Sequence, residues 1–85
     1  MSTIEIPWKI AAAQSGRRAA DKLFQHDGRP SDARVKTVLT SICTGLAELM
    51  LEHGEEDAAI DLAADAMADS FLERIVILET VRILD

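Results

Sequence analysis

The chain has 85 residues, 48% of them apolar, with a net charge of −6 and a sequence pI near 4.7. That length suits one folding domain, residues 1–85, whose core is marginal unless its helices pack well or copies associate, and that apolar share excludes a disordered acidic tail. A single cysteine, Cys43, excludes an intramolecular disulfide and a cysteine metal cluster and fits a reducing cytoplasm; neither a signal-peptide pattern nor a run of about 18 apolar residues is present, so no membrane is expected.

The charge is divided unevenly. Residues 1–36 hold seven bases (Lys9, Arg17, Arg18, Lys22, Arg29, Arg34, Lys36) against four acids, a balance of +3, whereas residues 37–85 hold two bases (Arg74, Arg82) against eleven acids, a balance of −9. Opposite charge in the two halves favours folding one back on the other.

In chain order, Thr3, Ile4, Glu5 and Ile6 alternate ahead of Pro7, which predicts a short extended arm over residues 1–6 that caps the core or pairs with another chain. Pro7 suits a helical first turn, and the first helix is expected over residues 7–26 with Asp27-Gly28 as its stop. At about 100° per residue, Trp8, Ala12, Gly16, Ala19, Ala20 and Leu23 share one face with Phe24 at its edge. Gly16 costs about 1 kcal/mol relative to alanine in a helix, so either another helix approaches closely there or the helix kinks.

The turn Asp27-Gly28-Arg29-Pro30 leads to Ser31 or Asp32 as N-cap of a second helix over residues 31–53, closed by Gly54. Val35, Val38, Leu39, Ile42, Leu46, Leu49 and Met50 form its apolar face. A row of hydroxyl residues, Thr37, Thr40, Ser41 and Thr44, lies behind, solvated or packed against something.

The third helix, residues 55–84, carries an acid at every fourth position: Asp57, Asp61, Asp65, Asp69 and Glu73. Residues four apart are neighbours on a helix, so these read as a ladder of like charge, each pair costing roughly 0.2–0.5 kcal/mol in isolation. Packing of Ile60, Ala63, Ala64, Met67 and Phe71 must hold the segment, and the acids must face water or a cation. From Phe71 onward apolar side chains surround the helix on nearly every side, and a third helix in so short a chain always has an outer face. Leu72, Val76 and Ile83 fall opposite the core and should meet another chain; the competing reading makes residues 74–84 a strand paired with residues 3–6.

Little here carries catalysis. His26 and His53 each fall near a helix end, His53 with Glu56 and Asp57 is the only local ligand cluster, Cys43 reads as a small buried hydrophobe, and the four glycines form no phosphate loop. No enzyme activity, cofactor or metal is expected. The acidic pI, the lack of tyrosine and the presence of only three aromatics argue against direct nucleic-acid contact.

The expectation is an all-α fold: a compact three-helix unit, a helical hairpin plus a long C-terminal helix, self-associating through that helix at Leu72, Val76 and Ile83. Its expected role is protein–protein interaction as a homodimer or higher oligomer with a further protein partner: a regulator, adaptor or assembly factor. The alternative is an acidic inhibitor of the phage anti-defence type, whose face of Asp57, Asp61, Asp65, Asp69 and Glu73 imitates a nucleic-acid backbone in a target's groove.

Overall fold

The computed structural model describes residues 5–84, with side-chain surroundings described for residues 8–81. Its three helices are α1 (Glu5–Asp27), α2 (Asp32–Glu52) and α3 (Asp57–Leu84), and no strand occurs among the described residues. Residues 74–84 are therefore helical. Glu5 and Ile6, expected in the arm, already belong to α1; residues 1–4 of that arm lie outside the described residues. The earlier start has a simple cause. The first four N–H groups of any helix lack an intrahelical acceptor, so Pro7 loses no hydrogen bond at the third position of α1.

Both connections close as their glycines require. Gly28 (φ +75°) donates its N–H to Phe24 O at 2.9 Å, and Pro30 then prevents continuation. Ser31 caps α2, its hydroxyl accepting from Arg34 N at 3.2 Å. At the other end Gly54 (φ +78°) donates to Leu51 O at 3.0 Å while Glu55 N reaches back to Met50 O at 3.0 Å, the paired bonds of a Schellman ending.

The first connection is also pinned by charge. Arg34 Nε donates to Asp27 Oδ2 at 3.1 Å, and His26 Nδ1 lies 2.6 Å from Asp27 Oδ1. The His26 hydrogen bond is the main force holding the Asp27 carboxyl below the usual carboxylate range; burial opposes it, and Arg34 adds a hydrogen bond and charge. A depressed folded-state value stabilises the fold above the unfolded value of about 3.9 and is lost as pH falls through the lower folded one. Wild-type melting temperature is therefore expected to drop more steeply than that of Asp27→Asn between about pH 4 and pH 2. Thermal melts followed by circular dichroism across that window check it, and parallel curves contradict it.

Packing places α1 and α3 side by side and parallel, with α2 antiparallel to both. Near the start of α1 and α3, Ala12, Ile60, Ala63 and Met67 bury Leu46 and Met50 from the end of α2. Near their other end, Ala20, Leu23, Phe24, Phe71 and Ile75 pack with Val35, Val38 and Leu39 from its beginning. Met50 and Phe71 are the largest side chains wholly out of solvent.

The expected α1–α2 hairpin is not the main contact: α1 lies chiefly against α3 and touches α2 only slightly. The reason is Gly16. A Cβ placed there would overlap the Met67 carbonyl oxygen and stand 3.1 Å from the Phe71 nitrogen, so the backbones of α1 and α3 meet where Gly16 removes the side chain between them. Close approach, rather than a kink, explains this glycine. The α2 helix is held firmly at Leu46 and Met50 but leaves Val35, Val38 and Leu39 half-buried.

Candidate interaction surface

The acids of α3 are all exposed, from Asp57 to Glu73, but they do not share one face. Each step of four residues overshoots a full turn by about 40°, so Asp57 and Glu73 stand roughly 160° apart around the axis. Asp65 falls on the α2 flank, where its charge reaches the Cys43 thiol. Asp69 and Glu73 turn outward at the rim of depressions on the α1 side, which they share with Lys9 and Arg17 respectively. Among the described residues none of the five acids is within ion-pair distance of a base.

The one ion pair joining α1 to α3 among the described residues runs against the charge bias of its helices. Asp21 is an acid of the basic helix and Arg74 a base of the acidic one, and Arg74 Nε donates to Asp21 Oδ1 at 2.8 Å. Both side chains are over a third exposed, so the pair fixes the register of α1 on α3 more than it stabilises it.

Two of the three aliphatics expected on the outer side of α3 are exposed. Val76 is 61% exposed and Leu72 44%, and Ile77 and Val81 are similarly bare; the side chain of Ile83 lies outside the described residues. Leu72 sits on the α2 flank of this surface. Val76 follows Asp69 by seven residues on the same outward stripe, and Ile77 lies on the α1 flank.

A groove runs along that α1 flank. Three depressions of about 390, 80 and 410 Å³ succeed one another between α1 and α3, the first two sharing Ser70 and the last two sharing Arg74. No residue of α2 lines them. Ala13, Ala66 and Ser70 keep the first stretch shallow because the helices on either side already touch at Gly16, while Ile10 stands 52% exposed at its edge. The apolar stripe of α1 does not include Ile10, and a single exposed aliphatic is ordinary, so only its place beside the groove distinguishes it.

The remaining chemistry-bearing residues are accounted for structurally. The Cys43 thiol is pushed up by burial and then by the Asp65 charge, and its Sγ lies 3.9 Å from Ala64 O, which makes it a weak nucleophile. His53 caps α2 and stacks obliquely on Trp8 with ring centroids 5.6 Å apart. Trp8 Nε1 donates to Glu55 Oε1 at 2.9 Å, tying the start of α1 to the α2–α3 turn, a contact the sequence pattern did not suggest. The hydroxyl row of α2 faces water, Thr37 and Thr40 turning their hydroxyls onto the carbonyls of Ala33 and Lys36. Among the described residues no three His, Cys, Asp or Glu side chains converge as metal ligands, and no helix is long and apolar enough to cross a membrane.

No protein-family model, curated protein or solved structure matches this chain.

Proposed function

We propose that this protein is a non-enzymatic protein–protein interaction module, a small regulator, adaptor or assembly factor, that acts as a homo-oligomer through the outward side of α3. The observation that carries this reading is the exposure of Leu72, Val76, Ile77 and Val81 on the last turns of a helix whose inner side already holds Phe71 and Ile75. Leu72 with Val76, and Ile77 with Val81, leave bare aliphatic surface on either side of the outward face, which a second chain would remove from water at about 25 cal/mol per Å².

Light scattering at micromolar concentration tests the reading. Wild type is expected to have at least twice the monomer mass, and Ile77→Glu, 44% exposed in the free chain, to shift it toward monomer by about 10-fold in dissociation constant, because a carboxylate would be desolvated at the contact. A wild type that stays strictly monomeric while melting cooperatively overturns the proposal.

A second reading draws on a different observation, the five exposed acids without an ion-pair partner among the described residues. They suit an acidic inhibitor seated in a nucleic-acid-binding groove of its target. Its signature is a complex that dissociates at about 0.5 M salt and on Asp61→Lys with Asp65→Lys, whereas a complex held by apolar surface survives that salt.

A further inference from the structure

We propose that the second copy docks along the groove between α1 and α3, related to the first by a two-fold axis running parallel to the helices. This rests on the self-association proposed above and narrows it from the whole outer side of α3 to the α1 flank, leaving Leu72 outside the contact.

The two walls of the groove carry opposite charge. Lys9 on α1 lines the same depression as Asp69 on α3, and Arg17 the same depression as Glu73, yet neither pair comes within ion-pair distance inside one chain. Ala13, Ala66 and Ile77 line the groove with Ile10 at its edge, an apolar strip interrupted by Ser70 and by Arg74, whose charge is paired with Asp21. A groove with a basic wall, an apolar floor and an acidic wall is complementary to itself if one copy is turned over correctly.

Symmetry decides which turn is correct. Two copies facing each other across this groove are related by an axis lying in the contact plane, either across the helices or along them. An axis across the helices sets α1 over α1 and α3 over α3, so Lys9 and Arg17 meet bases while Asp69 and Glu73 meet acids. An axis along the helices sets each α1 over the other copy's α3 at the same height. Arg17, just past the Gly16 crossing, then comes level with Asp69 of the second copy, twice over, while Lys9 lies about 10 Å nearer the helix starts.

Charge in this arrangement selects orientation and partner, and the apolar strip supplies burial. A contact centred on α3 alone, pairing Leu72 and Val76 of both copies, gathers the acids of two ladders with no α1 base between them.

The test uses two charge-reversed chains, Lys9→Glu with Arg17→Glu and Asp69→Lys with Glu73→Lys, each measured alone and mixed in equal amounts by sedimentation at low salt. All four positions are exposed, and circular dichroism confirms that the helices are kept. Each variant alone is expected to dissociate with a constant raised about tenfold or more, while the mixture regains wild-type association, because every acidic wall then faces a basic one. Both variants remain acidic overall, so attraction between net charges does not produce that rescue. Ile10→Gln should weaken association without touching charge, and Leu72→Glu should leave it intact.

If wild type associates but neither variant weakens, or if Leu72→Glu alone dissociates it, the groove is overturned and self-association stands. If both variants weaken and the mixture does not recover, the parallel axis is overturned. A monomeric wild type removes both this inference and the proposal beneath it.

Discussion

Phe71→Ala is expected to lower unfolding stability by about 3–5 kcal/mol, the usual cost of emptying a buried aromatic site. Phe71 is 0% exposed, packs in the cluster of Ala20, Leu23, Phe24 and Ile75, and contributes its backbone nitrogen to the crossing at Gly16. A chain of this length holds roughly 4–13 kcal/mol in total at the typical stability per residue. The substitution thus removes about a quarter of the fold's stability at the least, and at the low end leaves little or none. Urea titration followed by circular dichroism reads the change. A loss below about 1.5 kcal/mol would mean that α1 and α2 close over the void, contrary to a crossing already held at backbone contact. Phe24→Ala, 8% exposed near the end of α1, should cost less because solvent can fill part of its space.

Helix number and helix ends were legible because local chemistry sets them. Gly28 and Gly54 both take the positive φ that their stop positions demand, and Ser31 caps as its hydroxyl allows, so all three helices fall within about two residues of their expected ends. The start of α1 was not legible, because the rule that proline begins a helix does not say how many residues of the first turn precede it. Nor was the pairing of α1 with α3 in place of a tight α1–α2 hairpin. Sequence neighbours are the natural first guess, and only the depth of the Gly16 contact favours the partner further along the chain.

The candidate site was legible in part. Exposure of Leu72 and Val76 follows from an apolar helix with one side already in the core, and that reasoning needs no knowledge of the neighbours. The acid ladder was harder. Spacing by four suggests a face, but the excess rotation of about 40° per step accumulates over its length, and only placement of α1 and α2 shows which acids go to which flank. The groove itself was invisible, since Lys9, Ile10 and Arg17 belong to a helix more than fifty residues away in sequence from Asp69 and Glu73.

Gly16→Ala is expected to destabilise the protein even though alanine is the best helix former, and Gly45→Ala is expected to stabilise it. Both glycines lie inside helices, and replacing either with alanine recovers about 1 kcal/mol of helix propensity. The difference lies in what surrounds the new Cβ. At Gly45 a Cβ meets open space, so the propensity gain stands nearly alone. At Gly16 it meets the Met67 carbonyl oxygen and the Phe71 nitrogen, which belong to a backbone and cannot rotate away as a side chain would. The helices must part, and the packing lost along the crossing costs about 1–3 kcal/mol or more. Gly16→Val adds branching at the same point and should prevent the α1–α3 contact from closing. Denaturation of the two alanine variants under the same conditions makes the comparison internal: opposite signs for one chemical change are expected. If Gly16→Ala also stabilises, α1 and α3 do not meet at backbone distance, and the shallow groove above that crossing would have to be redrawn with it.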